Sequence, residues 1–203
     1  MTEITFPRGA EIAAFHDHCV HTEHWEHDAP VQFPSGVWCF IERNHRHNSL
    51  LWAEEDQARR KHVPDSEIAA NKRAIDRNNQ ARNDAIEKID EILLTELDSV
   101  ARQPDAWLNS ETAGSMVDRM SVLSLKIYHM NLQTQRADAD EAHRETCRQK
   151  VLRLKEQRAD LAESFDRLLQ AAQEGTAYFK VYRQFKMYND PTLNPYLYSG
   201  KSD

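Results

Sequence analysis

Apolar residues recur along this chain at intervals of three and four over long stretches, the spacing of helices that bury one stripe. Ile12, Phe15 and Cys19 mark a first helix from about Arg8 to Trp25. A connector with Pro30 and Pro34 runs from Asp28 to Gly36, and a second helix from about Val37 to Lys61. In His62-Val63-Pro64-Asp65 the proline halts the incoming helix, and Asp65 or Ser66 can cap the next. The third helix is the longest, from about Ser66 to Arg102, with Ile75, Ile86, Ile89, Leu93 and Leu97 on its stripe. Gln103-Pro104-Asp105 ends it, and a loop carrying Trp107 leads to Gly114. Ser115 and Asp118 make a capping-box-like start for a fourth helix, Met116 to about Arg136. That helix is apolar on almost every side and is therefore expected to be central. A fifth runs from about Ala139 to Glu174, with Gly175 placed as its C-cap. Tyr178, Tyr182, Phe185 and Tyr188 predict a short aromatic helix over 178–188, followed by a Pro-punctuated extended tail, 189–203. The fold class that results is all-α: two long helical hairpins forming one antiparallel bundle. It reads as a single domain, 1–203, with a His-rich N-terminal helix and connector in 1–35.

Composition narrows the functional classes. With 29% charged residues but only 5 Gly and 7 Pro in 203 residues, the chain suits long helices and not a turn-rich β-sandwich or a linker. No apolar run approaches the ~18 residues of a membrane span, and Met1-Thr2-Glu3 lacks the basic start of a signal peptide. Cys19, Cys39 and Cys147, odd in number and far apart, read as reduced thiols in a cytoplasmic protein. The net charge of -7 makes nucleic acid an unlikely partner.

Candidate chemistry enters where the stripes break. Walking back from Ile86 at helical spacing gives Arg82, Asn79, Ile75, Lys72 and Ile68. Walking forward from Ile41 gives His45, Asn48, Trp52, Glu55 and Arg59. A packed core disfavours this, because each unpartnered buried polar group costs ~1–3 kcal/mol. Folding the first hairpin about Val63 sets Asn48 opposite Asn79, Glu55 opposite Lys72, Trp52 opposite Ile75 and His45 near Arg82. A second turn near Ala137–Asp138 sets Asp118 opposite Gln157 or Arg158. The expectation is a polar layer inside the bundle, built from Asn48, Glu55, Asp56, Arg59, Lys72, Arg73, Asp76, Asn79, Gln80 and Arg82. Asp118, Lys126 and Arg158 would approach from the other hairpin. The bland alternative is a solvated face of ion pairs contributing little.

The strings carrying this layer also resemble a known family. They are Leu51-Trp52 with Glu55-Asp56 and Ala58-Arg59; Lys72-Arg73, Ile75-Asp76, Asn79-Gln80 and Arg82-Asn83-Asp84; Asp118-Arg119-Met120-Ser121; Leu125-Lys126-Ile127-Tyr128-His129; and Phe185 to Pro191. Together, over about residues 37 to 197, they resemble an uncharacterised bacterial all-helical family known only as a domain of unknown function. The resemblance implies a loose association with genes for lipopolysaccharide sugar transfer and no particular activity. The His-rich N-terminus lies outside the resembling strings.

Three functional classes follow. In the leading one, the layer binds, and in one version processes, a phosphorylated or sugar-containing small molecule. Arg59, Lys72, Arg73 and Arg82 would hold the anion, since guanidinium and ammonium groups pair with phosphate. Asn48, Asn79 and Gln80 would hydrogen-bond neutral groups, and Glu55, Asp56 or His45 would act as acid or base. The second class is a non-enzymatic interaction module, a homodimer or an assistant to a glycosyltransferase. The third is an Mg²⁺-dependent all-α nucleotide pyrophosphohydrolase, in which Glu54, Glu55, Asp56, Glu87 and Asp90 would gather the metal. Metal is also a reading for His18, His21 and His24, whose spacing can hold Zn²⁺ or Ni²⁺; the alternative is a solvated face.

Overall fold

The stripes close into helices joined by short connections in the computed structural model, which describes residues 6–185, 187 and 190–199. In chain order these are α1 (Gly9–His21), α2 (Trp25–Asp28), α3 (Gly36–Gln57), α4 (Asp65–Glu96), β1 (Trp107–Leu108), α5 (Ala113–Thr134), α6 (Glu141–Gln173), β2 (Ala177–Tyr178) and α7 (Pro195–Tyr198). The chain is all-α. Helices α3 and α4 form one long hairpin and α5 and α6 the other. Helix α5 packs against α1, α3, α4 and α6, as its nearly uniform apolar surface requires. The core gathers Ile12, Ile41, Ile89, Leu93, Val117, Met120 and Phe165 from five helices. Among the described residues no helix is long and apolar enough to cross a membrane.

Several boundaries differ from expectation. Helix α1 stops at His21, because the chain reverses through His24 in the left-handed region (φ 52°) before Trp25 is buried. Pro64 occupies the N-cap of α4 without a side-chain cap, so Asp65 opens the helix instead of capping it. Helix α4 ends at Glu96, not Arg102, and a turn through Asp98 and Ser99 leads to Gln103, whose amide donates to Gly175 O. The cap of α5 is Thr112, which accepts from Ser115 N at 3.1 Å; Asp118 is thereby released from any capping role and faces inward. Asp140, not Ala139, starts α6 by accepting from His143 N.

The expected aromatic helix over 178–188 does not form. Ala177 and Tyr178 instead pair in parallel with Trp107 and Leu108, which commits their backbone groups to a strand. Phe179 is buried in the core, and Arg183 reaches back to Glu87 and Glu91 on α4. Residues 186, 188 and 189 lie outside the described residues. The tail is not extended throughout. Asn194 accepts from Tyr196 N at 3.0 Å and starts the single-turn helix α7, and residues 200–203 lie outside the described residues. Gly175 does terminate α6. At φ 75° it completes a Schellman-type end, with Thr176 N donating to Ala171 O at 2.9 Å.

The crossing of α4 and α5 is set by Gly114. Its amide donates to Asp90 Oδ1 at 2.6 Å, and a Cβ added there would lie 2.4 Å from Ile86 O. A backbone oxygen cannot yield as a flexible side chain can. Gly114→Ala is expected to destabilise the fold by about 2 kcal/mol and lower the melting temperature by about 4–8 °C. Calorimetry reads this directly, and an unchanged melting point would show that the crossing is looser than its geometry.

Candidate functional site

The inward stripe of α3 carries Asn44, His45 and Asn48, all buried, between apolar Ile41 and Leu51. Across from them α5 brings Asp118, Ser121 and Ser124. These residues form one network. Asp118 Oδ1 accepts from Asn44 Nδ2 and Asn48 Nδ2, each at 2.9 Å, and lies 3.5 Å from Arg82 Nε on α4. Asn48 also donates to Ser121 Oγ at 2.9 Å, and that hydroxyl lies 2.8 Å from His45 Nδ1. An internal polar layer therefore exists, and three helices meet at one carboxylate oxygen.

Behind the layer the His45 ring stacks on His16 of α1, with centroids 4.3 Å apart. Both rings are fully buried, so both are kept neutral. Desolvation first, then nearby charge, lowers His16 well below its usual value; desolvation brings His45 to about 3, with the His16 backbone pulling the other way and Arg46 adding to the fall. The ring nitrogens of His16 and Nε2 of His45 make no hydrogen bond among the described residues. Next along α1, Asp17 forms a two-pronged ion pair with Arg158, which also donates to Ser124 Oγ at 2.8 Å.

In front of the layer lies a cleft of about 400 Å³ between α3, α4 and α5. Asn48, Glu55, Asp56, Arg59, Asn79 and Arg82 line it, with Trp52 and Val122 as apolar walls. Six of the residues picked out from the broken stripes are thus together. Glu55 and Arg59 pair along α3 at 2.8 Å. The Arg82 side chain, only 28% exposed, makes no hydrogen bond among the described residues, and its Nε is buried.

The other candidates lie elsewhere. Lys72 pairs with Asp76 along α4, Gln80 donates to Asp84, and Arg73 is exposed; none lines the cleft. The expected Glu55–Lys72 pair is replaced by Glu54 with Asn71, one residue out of phase, at 2.7 Å. His45 sits behind the cleft wall and does not reach it. Arg158 meets Ser124, six residues further along α5 than Asp118. Lys126 lines a neighbouring cleft between α5 and α6.

The other two chemistries find less support in the geometry. Asp90 holds the start of α5, and burial pushes its carboxyl up to about 6. Glu87 pairs with Arg183, so neither acid joins Glu55. His18, His21 and His24 are exposed and His21 Nδ1 contacts Asp17 O, while His24 lies past the end of the helix. Among the described residues no three His, Cys, Asp or Glu side chains are placed to hold a metal ion.

Sequence reasoning missed Asn44, Ser121 and Ser124, and read His16 only as part of the His-rich N-terminal helix. Two signals were present. Asn44 sits one turn before Asn48 on the same stripe, and the two serines lie three apart on the most apolar helix. A family model described as Protein of unknown function (DUF4254) matches residues 38–181. No curated protein and no solved structure matches the chain.

Proposed function

The chain belongs to the DUF4254 family, a family without a stated activity, and we propose that its α3–α4–α5 cleft binds a phosphorylated or sugar-bearing small molecule. The observation that carries this reading is Arg82. A half-paired guanidinium at 3.5 Å from Asp118, with a buried Nε lacking a hydrogen bond, is a costly arrangement for a residue serving stability alone. It suits a group waiting for an anion. Arg59 supplies a second cation at the rim, and Asn48 and Asn79 supply amides for hydroxyl groups. Glu55 and Asp56 are the carboxylates positioned to act as base or to take Mg²⁺ if the ligand is turned over.

A thermal-shift panel tests this with inorganic phosphate, a hexose 1-phosphate and a nucleoside diphosphate sugar, each with and without Mg²⁺. A ligand present at a hundred times its Kd stabilises by about 2.7 kcal/mol, or roughly 5–10 °C here. The shift is expected to vanish in Arg82→Ala, while the ligand-free melting point stays level or rises. A shift that survives this substitution, or silence across the panel, overturns the reading. Silence with a folded chain favours an interaction module, for which the exposed Phe185 and Tyr196 are the supporting observation.

A further inference from the structure

The second cleft, between the end of α3 and helices α5 and α6, has a different character. It measures about 560 Å³. Its floor is apolar: Trp52, Met130 and Leu154, with the His129 ring lying flat on the Trp52 indole at 4.5 Å and 7°. Its rim is basic, from Lys126, Lys150 and Arg153, against one acid, Asp56. Among the described residues the charged groups of these three cations make no ion pair or hydrogen bond. Elsewhere on these helices the cations divide: Arg119 and Arg158 are paired with acids, whereas Lys155 and Arg167 make no ion pair among the described residues. A turn away on α6, Arg144 and Arg148 are both paired with glutamates, and Arg153 leaves Glu156 unpaired three residues on. In a chain of net charge -7, three uncommitted cations around one apolar floor form a local positive field.

The floor and the rim ask for different things of one ligand. A bare phosphate or hexose leaves Trp52, Met130 and Leu154 in water and finds the Gln133 and Gln157 amides and the His129 ring as its neutral partners. A neutral hydrocarbon leaves the cations unanswered. We propose that this cleft is a second binding site, adjoining the Arg82 cleft and sharing Trp52 and Asp56 with it, for an amphipathic anion: a carboxylate or phosphate head on an acyl or prenyl chain. The head pairs with Lys150 and Arg153 at the rim, and the chain lies on Trp52 and Leu154.

Monomeric alkyl phosphates, used below their critical micelle concentrations, are the probes. Octyl and decyl phosphate are titrated calorimetrically against the full chain. Affinity is expected to rise about fourfold per methylene, so roughly sixteenfold between the two. Lys150→Ala/Arg153→Ala, both exposed positions, should keep the helical circular dichroism and weaken decyl phosphate at least tenfold. Arg82→Ala should leave this binding unchanged, which separates it from binding in the Arg82 cleft. Equal affinity for decyl maltoside, or for inorganic phosphate alone, overturns the proposal, as does binding untouched by the double substitution. A nucleoside monophosphate bound at the same cations without a chain-length dependence overturns it in favour of an aromatic phosphate. Sedimentation with phosphatidylglycerol vesicles distinguishes the source of the head: protein left in the supernatant supports a free monomer, and co-sedimentation assigns the cations to a lipid surface instead.

Discussion

Asp118→Ala is expected to cost the fold about 3 kcal/mol and lower its melting temperature by roughly 6–12 °C. The carboxylate is mostly buried, and its Oδ1 is the shared acceptor for Asn44 and Asn48 and the nearest anion to Arg82. Its removal strands the Asn44 amide and leaves a partly buried guanidinium without a counter-charge. Asn48 suffers less, because it keeps Ser121. Asp118→Asn retains an acceptor of the same shape and should cost only about 1 kcal/mol. Denaturant melts of the two variants read the difference. An alanine variant as stable as the parent would mean that the layer is filled by water and not held by the carboxylate. The contrast with Arg82→Ala, expected to be neutral, divides the layer into a part that holds register and a part left for a ligand.

Acid should weaken the protein through the histidines behind that layer. Unfolded, His16 and His45 take up protons near 6.5; folded, burial keeps both neutral, His45 down to about 3. Below pH 6.5 the unfolded chain therefore binds more protons, and stability falls with pH. Asp90 acts in the opposite sense. Its folded value is raised by burial from 3.8 to about 6, so the native state takes that proton first and gains stability as pH falls through this window. Two losses against one gain leave about one net proton, or about 1.4 kcal/mol per pH unit between about pH 6 and 4.5. Half-buried His129, also lowered by desolvation, adds to the loss. Asp90→Asn keeps an acceptor for Gly114 and removes the opposing proton, so its slope should roughly double. Urea melts at pH 7, 6, 5 and 4.5 decide it, and stability that is flat or rises on acidification contradicts the assignment of neutral buried rings.

The helices were readable because long stripes of Ile, Leu and Val leave little choice of face. The hairpin of α3 and α4 was readable because Pro64 places its turn, and residues such as Asn48 and Asn79 then fall together. The α5–α6 register was not, since no proline or glycine marks where Thr134–Asp140 bends. The aromatic helix over 178–188 failed for another reason. A three-to-four spacing of Tyr and Phe does not reveal that Tyr178 will find a strand partner at Leu108, seventy residues away. At the site, charge misled. Lys72, Arg73 and Asp76 were drawn into the layer by their charge, but Lys72 and Arg73 are exposed and Asp76 pairs with Lys72 along α4, whereas the short amides and serines, with lower apparent interest, hold the interior.

The span matched by the family model begins at residue 38, yet the interior of the molecule does not. Ile12, His16, Cys19 and Trp25, all upstream, are almost wholly shielded, and Arg46 of α3 donates to Trp25 O at 2.7 Å while its guanidinium lies over that indole. The stretch recognisable by similarity is thus not the unit that folds. A chain cut to begin at residue 38 would expose the His45 ring, the Arg158 guanidinium and the α1-facing side of α5 together, and would be expected to aggregate rather than to serve as a minimal, better-behaved version of the protein.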